Sequence, residues 1–132
     1  MIRRYCLSIN NSIIMEIWKY GNMEIKQTVN CLTALAQETR LAIFRLLVEA
    51  GPAGLCAGDI GARLKVPPAT LSFHLAQLAN AGLVQARQQS RFIFYSADFE
   101  AMNGLVAFLT ENCCGGKPCP PAKSSRRKIH SA

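Results

Sequence analysis

The run NCCGGKPCPP places Cys113, Cys114 and Cys119 within seven residues, with Gly115-Gly116 between the pair and the third thiol. Two successive glycines let the backbone fold Cys119 back onto Cys113 and Cys114. Soft thiolates select soft ions, and three sulfurs in a pyramid suit trivalent arsenic or antimony. A reducing cytosol keeps such thiols out of structural disulfides. Three other readings stand beside this one. Cys113, Cys114, Cys119 and His130 could make a four-ligand zinc set, the thiols could sense oxidants by forming a disulfide, or the tail could be chemically inert.

The segment before the cysteines must position them. Asp98 can cap a helix running to about Asn112, whose Phe99, Met102, Leu105, Val106 and Leu109 form an apolar face too broad for one thin domain to cover. A symmetric homodimer is the expected use of the excess.

A second group of residues suits contact with DNA. From Gly54 to Gly82 the chain reads as two short helices with a break between them. The first, about Gly58 to Leu64, offers Ile60 and Leu64 as an apolar face. Lys65-Val66-Pro67-Pro68 stops it, and Pro68 can open the next helix, where its missing N–H is no loss. That helix, about Ala69 to Ala81, aligns Leu71, Leu75 and Leu78, and Gly82 suits a left-handed terminator. Leu83 to Gln88 and Arg91 to Ser96 alternate as a β-hairpin joined by Gln89-Ser90. Helix, turn, helix and hairpin together predict a mainly α winged helix-turn-helix.

On the second helix Ala69, Thr70, Phe73, Ala76 and Gln77 face away from the leucines, flanked by Ser72 and His74. Thr70 and Ser72 can bond phosphates or base edges, Gln77 can read adenine, and Phe73 can press on a thymine methyl. His74, nearest the leucine stripe, divides evenly between base contact and packing. Arg87 and Arg91 flank the hairpin tip as candidate phosphate contacts.

These motifs carry a family resemblance. LSFHLAQLANAGLV resembles the recognition-helix signature of the ArsR-type family of arsenic- and metal-responsive repressors. LAQETRLAIFRLLVEA, Leu35 to Ala50, resembles the family's preceding helix, and the likeness extends over about residues 25–112. It implies a dimeric winged helix-turn-helix repressor that leaves operator DNA when a thiophilic ion binds. It implies dimerisation through the helix after Asp98 together with the helix near residues 24–36. Some members carry a three-cysteine arsenite box on the first helix of the motif. Here LCAGDIG keeps only Cys56, with Gly58 and Gly61 in place of the other thiols, so Cys56 reads as packing. Others carry a vicinal pair and a third cysteine past the dimerisation helix, which Cys113, Cys114 and Cys119 resemble. As(III) or Sb(III) is then the inducer.

Upstream, Ile25, Val29, Leu32 and Leu35-Ala36 predict a helix from Glu24 to Ala36. Glu38 to Ala50 predicts another, with Leu41, Phe44, Leu47 and Val48 inward, Arg40, Arg45 and Glu49 mostly outward, and Gly51-Pro52 ending it. Cys31 beside the first stripe reads as a buried small hydrophobe. Residues 1–22 differ in character from the rest of the chain. They read either as an N-terminal extension or as the product of a start assigned ahead of Met23. The expected organisation is therefore 1–22, a DNA-binding and dimerisation domain over 23–112, and a flexible basic cysteine-containing tail over 113–132.

The formal charge of +7 is unevenly placed. Residues 1–22 carry Arg3, Arg4 and Lys19 against Glu16, and residues 113–132 carry Lys117, Lys123, Arg126, Arg127 and Lys128 with no acid. Residues 23–112 are neutral overall, but Arg63, Lys65, Arg87 and Arg91 surround the motif against Asp59 alone. A local basic face on a neutral body is suited to phosphate. With two histidines, no phosphate loop, no Cys-x-x-Cys and no clustered acid–base pair, an enzyme or a thiol-based arsenic-handling protein is the weaker reading. No apolar run is long enough to span a membrane, and a cytoplasmic location is expected.

Overall fold

The computed structural model describes residues 23–118. The expected N-terminal extension, Cys119, His130 and the basic run lie outside the described residues. The elements in order are α1 (Ile25–Leu35), α2 (Glu38–Ala50), β1 (Leu55–Cys56), α3 (Ala57–Leu64), α4 (Pro68–Asn80), β2 (Val84–Gln89), β3 (Phe92–Ala97) and α5 (Phe99–Thr110). A short 3-10 turn, Cys113–Gly116, comes after α5. The helices pack around one core on a small antiparallel sheet of order β1-β3-β2.

The interior is built where α2, α3 and α4 meet. Ile43 and Leu47 of α2, Ile60 of α3, Leu71, Leu75 and Leu78 of α4, and Leu83 are almost wholly shielded from solvent. The leucine stripe of α4 is the one its 3.6-residue period predicts. On α2 the inward set differs from expectation. Ile43 is buried, whereas Leu41 is 44% exposed, because six residues before Leu47 it lies about 120° round the helix. Arg40, seven residues before Leu47, falls within about 20° of it and is half-buried rather than outward. There its Nε donates to Ala34 O at 2.6 Å, near the end of α1.

The face of α1 is also inverted relative to its bulky residues. Thr28, Cys31 and Ala34 are buried, while Ile25, Val29 and Leu32 stand exposed. Val29 and Cys31 point about 160° apart. Small inward side chains let α1 approach α4 closely, and the Cys31 thiol donates to Ala81 O at 3.4 Å.

The remaining boundaries reflect local chemistry. Gln37 caps α2, its side chain accepting from Arg40 N, and Gly51 ends it at φ +77. α3 ends before the prolines, at Lys65 in the left-handed region, and Val66 N closes onto Gly61 O at 3.0 Å. Pro68 opens α4, Gly82 succeeds it at φ +79, and Asp98 caps α5 by accepting from Ala101 N at 2.9 Å.

The sheet has one strand more than the expected hairpin. Leu55 and Cys56 pair with Tyr95 and Phe94, a ladder too short to leave a periodic signal. Cys56 therefore belongs to β1 and immediately precedes α3, rather than lying on that helix. In the hairpin Gln89 pairs with Phe92, so the turn is Ser90-Arg91, one residue later than expected, with Ser90 at φ +58.

Candidate nucleic-acid interface and cysteine turn

With Leu71, Leu75 and Leu78 fixed inward, the opposite arc of α4 is fixed outward. Thr70, Ser72, Phe73 and Gln77 are all exposed, Phe73 by 58%. Pro68 holds the first turn, leaving the early amides of the helix open to an anion or base edge. Ser72 also borders an apolar cleft of about 300 Å³ between α3 and α4, lined in part by Gly58, Gly61 and Leu71. A Cβ on Gly61 would sit 3.1 Å from Val66 O, so a thiol there would crowd the turn of the motif.

His74 departs from the rest of the expected set. It is 8% exposed and lies with the core leucines, its ring edge-on to Phe73 at 5.6 Å between centroids. Nδ1 is buried with no hydrogen-bond partner among the described residues. In the protomer His74 is a packing residue, not part of the exposed arc. Asn80, absent from the expected set, is exposed one turn beyond Ala76 on the same side. The i, i+4 spacing from Ala76 is the signal that finds it.

The wing supplies exposed cations. Arg87 lies opposite Phe94 in the ladder and donates to Ala53 O at 3.4 Å. Arg91 sits in the tip itself rather than beside it. Arg63 and Lys65, at the end of α3, are also exposed. Asp59 of α3 accepts from the Cys56 thiol at 3.1 Å.

At the other end of the chain the backbone turns sharply after α5. Asn112, Cys114, Gly115 and Gly116 all have positive φ, and Cys113 Sγ and Cys114 Sγ stand 3.6 Å apart on this exposed turn. With ion–sulfur bonds of about 2.3 Å, such an edge subtends roughly 103° at an ion, an angle proper to a thiolate polyhedron. Among the described residues no three His, Cys, Asp or Glu side chains gather as a metal site; the third expected ligand, Cys119, lies outside them. Cys31 belongs to a different environment, where burial pushes its thiol up from the ordinary value of 9.0. No described helix is long and apolar enough to cross a membrane.

Five helices, a three-stranded sheet with a protruding hairpin, and a polar exposed arc on α4 define a winged helix-turn-helix DNA-binding protein. A helix-turn-helix domain family matches residues 35–85. The chain is 31% identical over 88 residues to the transcriptional activator HlyU of Vibrio cholerae serotype O1, spanning 67% of this chain and 79% of that relative. It is 36% identical over 87 residues to the putative arsenical resistance operon repressor ArsR of Halobacterium salinarum, spanning 66% and 67% respectively. Among solved structures, an ArsR-like transcriptional regulator from Rhodococcus sp. RHA1 superposes with a TM-score of 0.57 at 30% identity, over 64% of this chain and 76% of that one. The chain belongs to the ArsR-type family of winged helix-turn-helix transcriptional regulators. These relatives are named as regulators and not as enzymes, and the protein is a transcriptional regulator.

Proposed function

We propose that the protein is a cytoplasmic homodimeric repressor. Its apo form holds operator DNA and lets go when As(III) or Sb(III) binds Cys113, Cys114 and Cys119. The observation that carries this reading is the pair of sulfurs 3.6 Å apart on an exposed turn directly after α5. The Halobacterium relative, by its name a putative repressor of arsenical resistance, supports the choice of ion.

The dimer is supported by uncovered apolar surface on two helices that pack together. α1 leaves Ile25, Val29 and Leu32 in solvent, and α5 leaves Val106 and Leu109. Residues 23–112 form the DNA-binding and dimerising unit, with 113–132 as the sensing tail. Thr70, Ser72, Phe73 and Gln77 are assigned to the major groove and Arg87 and Arg91 to phosphate.

The coupling is a matter of position. Cys113 lies four residues beyond Leu109 on the exposed face of α5, so an ion clasped by the tail pulls directly on a dimer helix. A ligand shifts such an equilibrium only by its differential affinity, and moving it from 1:99 to 99:1 takes about 5.5 kcal/mol. Three thiolate bonds made only in the closed tail can supply that difference.

The test is release of a duplex by arsenite under reducing conditions. Cys113→Ser, Cys114→Ser and Cys119→Ser should each bind DNA normally yet resist arsenite, while Cys31→Ser and Cys56→Ser respond as wild type. Normal release by the tail variants would overturn the reading. Release by peroxide alone would replace it with disulfide sensing.

A further inference from the structure

A polar pocket of about 250 Å³ opens between α1, α2 and the C-terminal half of α4. Its polar walls are Asn30 and Thr33 of α1, Arg40 of α2, and Gln77 and Asn80 of α4, with no carboxylate among them. Thr33 gives its hydroxyl proton to Val29 O at 2.7 Å, and Arg40 Nε donates to Ala34 O. The side-chain amides of Asn30, Gln77 and Asn80 and the two terminal nitrogens of Arg40 make no hydrogen bond among the described residues. The amides of Asn30 and Asn80 and one guanidinium edge therefore border a cavity with a half-buried positive charge beside it, with Gln77 at its margin on the exposed arc of α4. Such a donor set fits an oxyanion, and the planar edge of arginine fits the paired oxygens of phosphate in particular.

The position of the pocket on α4 selects which phosphate. Asn80 comes seven residues after Phe73 and lies within about 20° of it round the helix, so the pocket continues the exposed arc. Thr70 and Asn80 are separated by about 15 Å along the axis, whereas the major groove is about 8.5 Å deep. A helix that enters the groove by its N-terminal turns thus leaves Asn80 at the lip, where the sugar–phosphate backbone runs. Arg40, set behind α4 on α2, is too far back to read a base and well placed to hold that backbone.

We propose that this pocket clamps one phosphate of the operator backbone in each protomer, with Arg40 taking the charge and Asn30 and Asn80 closing on the oxygens. The inference rests on α4 being the groove helix. The alternative source of the same chemistry is a free phosphoryl ligand.

The full-length protein is titrated on the duplex from immediately upstream of its coding sequence over a range of salt concentrations. Each neutralised phosphate contributes about 0.9 to the slope of log Kobs against log salt, so Arg40→Gln should reduce the slope of the dimer by nearly two. Arg40→Lys should keep most of the slope. If Arg40 merely pins the end of α1 through Ala34 O, Arg40→Gln will lower the melting temperature and leave the slope intact, which overturns the proposal. Should Arg40→Gln fail to fold, Asn30→Asp and Asn80→Asp set a carboxylate against the phosphate. Each should weaken binding at least tenfold on specific and unrelated duplexes alike, and unchanged binding refutes the clamp. Inorganic phosphate, added to DNA-free protein at constant ionic strength, should leave the Asn80 side-chain amide resonances in place. A saturable shift at micromolar phosphate would assign the pocket to a free ligand and overturn the assignment to DNA. If wild type binds no duplex, the groove assignment fails too; if it binds but Arg40 and Asn80 are silent, only the clamp fails.

Discussion

Val29→Asp should dissociate the dimer and leave the protomer folded. Val29 is 52% exposed on α1, between Ile25 and Leu32, and α5 packs beside that helix with Val106 and Leu109 uncovered. Burying a whole valine side chain is worth about 1.5–3 kcal/mol, so covering its open half is worth roughly 1 kcal/mol. A two-fold interface counts every residue twice. Aspartate also brings a charge, and an unpaired ion taken from water costs several kcal/mol. Even about 2 kcal/mol of residual charge penalty in each protomer brings the total to roughly 6 kcal/mol per dimer, about four decades in Kd. The folded protomer should be nearly indifferent, because Val29 is not among its core side chains and exposed substitutions usually stay within about 0.5 kcal/mol. Sedimentation equilibrium over a concentration series, paired with thermal melting by circular dichroism, measures both quantities. The expected result is a dimeric wild type at micromolar concentration and a monomeric variant whose melting no longer depends on concentration. A variant that sediments as a dimer with wild-type affinity would show that the α1 stripe is not the interface.

Gly54→Ala should destabilise the protein by about 3 kcal/mol or more, read by urea denaturation. Gly54 has φ +72 and an added Cβ would lie 2.3 Å from Tyr95 O, so positive-φ strain of about 1–2 kcal/mol adds to separation of β1 from β3. Ser72→Ala or Gln77→Ala should lower affinity for the operator by about 1–3 kcal/mol and spare unrelated duplexes, whereas Arg91→Ala should weaken both and reduce the salt slope; electrophoretic titration at several salt concentrations separates them. His74→Leu should leave stability unchanged or raised in a melting experiment, because it removes a buried nitrogen without a partner among the described residues; a large loss of operator affinity instead would make His74 a base contact. Stability should fall above about pH 9, because burial raises the Cys31 pKa above its ordinary 9.0. The unfolded thiol then ionises first, and the folded state binds the extra proton. This alkaline loss should shrink in Cys31→Ala when denaturation is followed across pH.

The parts of the fold legible in the sequence are those where local chemistry and burial agree. Leu71, Leu75 and Leu78 repeat at the helical period and are buried on one side of α4, so the exposed arc carrying Thr70, Ser72, Phe73 and Gln77 could be read by subtraction. Pro68, Gly82 and Asp98 mark boundaries through restrictions that act within a few residues. What escaped the sequence depends on distant partners. β1 exists because Leu55 and Cys56 meet β3 some forty residues later, and two residues carry no period. The turn at Ser90-Arg91 is set by the ladder register, which the absence of glycine in the tip leaves unmarked. His74 sits at the edge of the leucine stripe, where a change of a few degrees decides between core and surface. Arg40 has a charged side chain yet occupies an inward angle on α2, because its guanidinium finds the carbonyl of Ala34.

The inversion on α1 has the same origin and ties the fold to its proposed use. A run of bulky apolar residues reports burial in the final assembly, not in the chain that carries it. Within the protomer α1 presents Thr28, Cys31 and Ala34 to the interior, small enough for its backbone to lie near the end of α4, with Cys31 reaching Ala81 O. Its larger residues face outward beside the open stripe of α5. One helix therefore touches α4, the proposed groove helix, on one side and, in the proposed dimer, the partner on the other. The thiol turn extends from the end of α5, which packs on that same helix. In the proposed mechanism, a shift imposed at Cys113 and Cys114 would reach the dimer face through α5, and α1, which packs on both α5 and α4, would carry it on to α4. Close packing of small side chains favours a stiff contact there, so a displacement of α1 should be passed to α4. Cys31→Leu tests the stiffness directly, since a larger side chain at a site with no exposed surface should force α1 away from α4 and lower operator affinity, even with every groove residue intact.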